Sequence, residues 1–131
     1  MATPPLKFEV SSPETGQKLL DRRSFGPNAT IFAEDQPGTI AYILLSGDVA
    51  IVRGRGTAQE RELTQIQAGQ IFGELALMAG DRRTATAITR NGCDVLVVHQ
   101  ERFKQKLDEA DPFIRYWIDY LSRRVIELSS R

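Results

Sequence analysis

Between Phe25 and His99 the chain breaks into short β-rich runs, and turn residues interrupt them so often that few folds stay open to it. The runs are Ala29–Phe32, Ile40–Ser46, Asp48–Arg53, Arg61–Ile66, Ala85–Thr89 and Asp94–His99, with turn signals at Asp35–Gly38, Gly47, Gly54–Gly56 and Asn91-Gly92. Val, Ile, Thr, Phe and Tyr supply the strand preference, and Gly, Pro, Asn and Asp supply the reversals. Strands this short, reversed this often, are the signature of a small barrel or sandwich. A chain of 131 residues holds one such domain with a substantial core.

Helical periodicity takes over on either side of the β-rich region. Glu101–Ala110 reads as a helix with Phe103 and Leu107 four apart. Asp111-Pro112 ends it, because proline drives its predecessor out of the helical region. A second helix runs from Pro112 to about Ser130, where Phe113, Ile114, Trp117, Ile118, Leu121, Val125 and Leu128 define one face, expected to point inward. Residues 1–12, with Pro4 and Pro5, read as a flexible tail holding at most a short extended piece from Leu6 to Val10. Pro13 and Glu14 open a short helix reaching about Arg23, with Leu19 and Leu20 on its inner side.

Lys and Arg number 17 and Asp and Glu 17, so nothing favours a nucleic-acid backbone or an anionic membrane as partner. Arg82, Arg83 and Arg90 form only a local basic patch. No segment approaches the roughly 20 apolar residues of a membrane span, and the start lacks the pattern of a signal peptide. The single cysteine, Cys93, excludes an intramolecular disulfide, reads as a small strand side chain, and suits a cytoplasmic protein. One cysteine and one histidine, His99, cannot build a His-rich metal site; His99 reads as a polar strand end.

Phe72-Gly73-Glu74-Leu75-Ala76-Leu77-Met78-Ala79-Gly80-Asp81-Arg82-Arg83-Thr84-Ala85-Thr86-Ala87 carries most of the functional information. A short helix opening at Gly73 would present backbone N–H groups to an anion, and glycine would let the anion approach closely. With Leu75, Leu77 and Met78 anchored in the core, Glu74 is left near the open end, where a carboxylate accepts hydrogen bonds from sugar hydroxyls. Arg83 brings a planar fork of donors matched to two phosphate oxygens. A phosphate ester of a sugar fits these parts. The plainer alternative is a helix-capping acid paired with a surface arginine.

This stretch resembles the phosphate-binding cassette of the cyclic-nucleotide-binding domain family, whose pattern is close to Phe-Gly-Glu-Leu/Ile-Ala-Leu, a variable turn, then Arg-x-Ala-Thr/Ser. Tyr42–Val49 is similar to the family's Tyr-Ile-Ile-x-x-Gly-x-Val hairpin, and Gly69 and Phe72 match its approach to the cassette. Asn28 stands where many members have glycine, in a turn that asparagine also tolerates. The resemblance spans roughly residues 14–128. It implies an α+β, mainly β fold: an eight-stranded jelly-roll-like β-barrel at about 25–100, with a short cassette helix and flanking N- and C-terminal helices. Residues 13–131 would then form one cyclic-nucleotide-binding domain, with the C-terminal helices at about 101–130.

By the same resemblance the ligand is cAMP or cGMP, with no further cofactor, and the chain is a regulatory domain in signal transduction rather than an enzyme. Arg83 would pair with the cyclic phosphate, Glu74 would hold the ribose 2′-hydroxyl, and Gly73, Leu75 and Ala76 would give backbone contacts, flanked by Phe72 and Ala85. The Thr84 hydroxyl would meet the phosphate or the amino group of a syn guanine. The final helix would close over the base, with Leu121, Arg124 and Val125 as lid candidates. Strict alternation would send Arg83 and Thr84 to opposite faces, so both reach one ligand only if the chain bends where the strand begins.

The sequence holds no DNA-reading, kinase-inhibiting or channel segment of the kind such domains accompany, so its output would pass through a downstream protein or an effector domain beyond it. The Met1 start leans toward a free-standing receptor, with a fragment as the alternative. A barrel that has lost its ligand and binds only protein is a competing reading. A phosphodiesterase is another, and it lacks any spacing that argues for base and nucleophile; a cyclic dinucleotide suits Glu74 less well than a free 2′-hydroxyl does.

Overall fold

In the computed structural model, which describes residues 20–78 and 82–129, the β-rich runs pair into two four-stranded sheets. The strands are β1 (Leu20–Phe25), β2 (Ala29–Phe32), β3 (Ile40–Gly47), β4 (Val49–Arg53), β5 (Arg61–Ile66), β6 (Ile71–Phe72), β7 (Thr86–Thr89) and β8 (Cys93–His99). The helices are α1 (Leu75–Met78), α2 (Gln100–Glu109) and α3 (Pro112–Ser129). One sheet runs β1-β8-β3-β6 and the other β2-β7-β4-β5, every pair antiparallel. These strands with their flanking helices are the expected mainly β fold.

Alternation along β3 and β8 builds the core. Tyr42 pairs with Val97 and Leu44 with Val95, and these four meet Val49, Phe72 and Ala87 between the sheets. The neighbours on the opposite parity, Ile43 and Leu96, pack with Leu20 on the other face of their sheet. Each inward side chain of this size contributes roughly 1.5–3 kcal/mol on burial. A polar clamp ties two turns together: the Asp48 carboxylate accepts the N–H groups of Arg90 (2.9 Å) and Asn91 (3.0 Å). That role keeps Asp48 in the β3–β4 turn, so β4 starts one residue later than the sequence suggests.

Two expectations change and one strand went unread. Residues 20–23 are strand rather than helix, since Leu20 and Arg23 pair with Val98 and Val95 of β8 and Leu20 is buried. The remainder of that expected helix, Pro13–Leu19, and the tail at 1–12 lie outside the described residues. Strand β6 was not read from the sequence; its two residues pair with Tyr42 and Ile43. The apolar face of α3 does not point inward: Phe113, Ile114, Trp117, Leu121, Val125 and Leu128 are all exposed. The less exposed line of the helix is Ile118, Ser122 and Ile126, spaced four apart. Periodicity defines a face but not what the face meets.

Candidate functional site

A cavity of about 240 Å3 opens where the end of β6, helix α1 and the segment before β7 come together over β4 and β5. Helix α1 has Ala76 and Leu77 buried and Glu74 exposed just before its start, so the acid stands at the open end of the turn. The N–H groups of Ala76 and Leu77 bond the carbonyls of Gly73 and Glu74. Gly73 has φ 71, and an added Cβ would lie 2.9 Å from Arg83 Nη1 and 3.1 Å from the Phe32 ring. Only glycine fits both the backbone conformation and the space.

Arg83 is only 8% exposed. Its Nη2 donates to Ile40 O (2.7 Å) and its Nη1 to Gly73 O (3.2 Å), and its guanidinium carbon sits 4.2 Å above the Phe32 ring centroid. Phe32 in turn stacks on Tyr42 and Phe72 at 6.0 and 6.3 Å, so the core's aromatic layer carries the arginine. No carboxylate among the described residues pairs with it. Burial pulls the guanidinium below its usual basicity, with Tyr42 acting the other way. A buried cation held by two carbonyl dipoles and an aromatic face is under-compensated, and an anion in the cavity would supply what is lacking. Two of its five N–H donors are engaged, leaving donors for such an anion.

The chain bends at Thr84 and Ala85, before the strand begins, and this answers the parity problem. Arg82 bridges Pro37, and β7 does not begin until Thr86, so residues 83–85 precede regular alternation. Both Arg83 and Thr84 line the cavity, with Thr84 exposed and Ala85 buried. Phe72, Gly73, Glu74, Leu75 and Ala76 line it as well. Leu121, Arg124 and Val125 do not, and all three are exposed on α3. The sequence reading missed Phe32, which carries Arg83, and Ile51, Thr64 and Ile66, which wall the far side. It also missed Gly38, where an added Cβ would lie 2.3 Å from Arg83 Nε. The parity of β4 and β5 was available as a signal, since Ile51 pairs with Thr64 on one face; nothing local marks Gly38.

The architecture is a mainly β domain of two four-stranded antiparallel sheets with a helical appendix, and the cavity lies beside its shortest helix. The chain belongs to the cyclic nucleotide-binding domain family, whose model matches residues 22–110. Among curated relatives, it is 28% identical over 108 residues to the CRP-like cAMP-activated global transcriptional regulator of Mycobacterium tuberculosis, covering 82% of this chain and 48% of that protein. Among solved structures, it matches an EAL enzyme in a half-site-occupied form at TM-score 0.72 and 25% identity, covering 83% of this chain and 97% of that one. It also matches the regulatory domain of Toxoplasma gondii PKA with cAMP at TM-score 0.66 and 28% identity, covering 83% and 40%. The chain spans under two thirds of the length of the first curated relatives it matches.

Proposed function

We propose that this chain is a cyclic mononucleotide receptor domain, taking cAMP first and cGMP as an alternative, whose C-terminal helices change arrangement when the ligand binds. The observation that carries this reading is Arg83: a buried guanidinium with no carboxylate partner among the described residues, facing a cavity shared with Glu74 and Thr84. Arg83 takes the cyclic phosphate, Glu74 the ribose 2′-hydroxyl and Thr84 a phosphate oxygen or a guanine amino group. Gly73, Leu75 and Ala76 give backbone contacts between Phe72 and Ala85. The relatives named for cAMP support that nucleotide.

A ligand shifts such a domain only by its unequal affinity for two arrangements. The cavity is smaller than the roughly 300–1,000 Å3 of typical ligand sites. Ligand entry is therefore proposed to displace α1, and α3 to bring Leu121, Arg124 and Val125 over the base. We assign no catalytic activity to the chain; the EAL enzyme's name belongs to that protein. We place the domain in the cytoplasm, with output through a downstream protein or an attached effector domain. Among the described residues no helix is long and apolar enough to cross a membrane.

The test is calorimetric titration of nucleotide-stripped protein with cAMP and then cGMP, beside Arg83→Leu. Binding at micromolar or lower concentration, weakened roughly 30-fold or more in the variant, is expected from the loss of a partly buried charge pair. No heat with either nucleotide from folded, empty protein would sink the receptor reading and favour a protein-binding barrel.

A further inference from the structure

We propose that Gln100 is a coupling residue that transmits displacement of α1 into α2; this rests on the receptor reading above. Gln100 is the first residue of α2. Its Nε2 reaches back to the end of α1, donating to Ala76 O at 3.0 Å and lying 3.5 Å from Leu77 O. Its own backbone N–H donates to Thr39 O at 2.9 Å, so the start of α2 is held between the cassette helix and the entrance to β3. The residue before it, His99, ends β8, with its Nε2 3.1 Å from Asp21 Oδ2 on β1. The barrel is thus fixed up to His99, and Gln100 is where the chain passes from the fixed sheet to the helices.

Geometry makes this amide sensitive to α1. A helix as short as Leu75–Met78 cannot satisfy its last carbonyls internally, and here the donor comes from the helix that follows the barrel. Ala76 and Leu77 are the buried residues of α1, so their carbonyls move whenever the helix is repositioned. A ligand that displaces Gly73–Ala76 must either drag the Gln100 amide or break its bonds, and both alter the first turn of α2. The end of α1 also touches α3, where Ser122 Oγ lies 2.9 Å from Met78 Sδ. The single hydroxyl hydrogen of Ser122 goes to Ile118 O at 2.6 Å, so that second contact is packing rather than a directed link.

A simple cap and a coupling residue respond differently to charge at this position. If Gln100 only stabilised the start of α2, Gln100→Glu would strengthen it and Gln100→Lys weaken it, through the helix dipole. If Gln100 works by donating to α1, Lys retains the donor and Glu replaces it with an acceptor facing two carbonyls. Gln100→Leu, which carries neither charge nor donor, separates loss of the bond from repulsion.

The experiment follows amide exchange in residues 75–78 and 100–109, with the emission of Trp117, the single tryptophan, as a probe on α3. Calorimetry with cAMP runs in parallel on wild type and the three variants. In wild type cAMP is expected to change exchange at the start of α2. Gln100→Glu and Gln100→Leu should still bind within about tenfold of wild type, the range of one neutral hydrogen bond, yet lose most of the response in α2, while Gln100→Lys keeps it. A full response in Glu and Leu, or cAMP binding that leaves α2 of the wild type unchanged, overturns the proposal. If wild type binds no cAMP, the receptor reading fails separately and the link is judged without ligand. Exchange in both segments should then rise roughly two- to tenfold in Glu and Leu but not in Lys; equal exchange in all four proteins overturns it.

Discussion

The guanidinium of Arg83 rests 4.2 Å above the ring of Phe32, which makes an aromatic core residue the floor of a cationic site. The same ring stacks on Tyr42 and Phe72, so the charge is positioned by packing that also stabilises the barrel. Cation–π contact contributes about 0.5–2 kcal/mol. Phe32→Leu is therefore expected to weaken cAMP binding roughly two- to thirtyfold, with a modest drop in melting temperature. Calorimetry and a thermal melt on the same sample check it, and unchanged affinity would show that Arg83 is held by the carbonyls of Gly73 and Ile40 alone.

Gly38 makes the same point from the other side of the guanidinium. A Cβ there would stand 2.3 Å from Nε and 2.5 Å from Cζ of Arg83. The arginine is the movable partner, so Gly38→Ala should push the guanidinium out of its seat at little cost to the fold. The expected result is an affinity loss approaching that of Arg83→Leu, about 2 kcal/mol or more, with a melting temperature near wild type. Loss of folding with no separate effect on binding would count against it.

What could be read from the sequence followed from how local the signal was. Strands β3 and β8 declared themselves because Tyr42, Leu44, Val95 and Val97 alternate within one run each, and the stretch from Phe72 to Ala85 is contiguous. Strand β1 was misread because its partner lies far along the chain, with Ser24 donating to Asp94 70 residues later, while Pro13 and Glu14 look like a helix start. Phe32 and Gly38 meet Arg83 only in three dimensions, and neither carries a charge or motif that would single it out. On α3 the apolar spacing was legible but its direction was not, because a helix's own periodicity is blind to which side rests on the barrel.

Glu74 is exposed at the cavity and has no side-chain partner among the described residues. Glu74→Gln should consequently leave stability within about 0.5 kcal/mol of wild type, as exposed substitutions do. Its effect should appear only against a sugar hydroxyl. In a cycle pairing Glu74→Gln with 2′-deoxy-cAMP, the two changes should share a coupling of roughly 1.5–3 kcal/mol, the range of a hydrogen bond to a charged group. Additive losses in the cycle would remove the 2′-hydroxyl from Glu74.

Asp48 gives the fold an acid limit. Burial alone would raise its pKa, but the bonds from the Arg90 and Asn91 amides and from Thr89 outweigh that and hold it below its ordinary value of 3.8. A carboxylate with a depressed folded pKa adds stability that is complete above the unfolded pKa and disappears as pH falls through the folded one. Asp48→Asn removes the charge and turns one of the two acceptor oxygens into an NH2 donor, so near pH 7 it should be less stable than wild type by about 1–3 kcal/mol, from one backbone amide left without an acceptor. Between roughly pH 5 and pH 2 the wild type should lose that advantage and the two melting temperatures converge. Thermal melts of both proteins across that range isolate the contribution, since the other carboxylates titrate equally in each. A gap that stays constant down to about pH 2 would mean that the clamp depends on the second acceptor oxygen and not on the charge of Asp48.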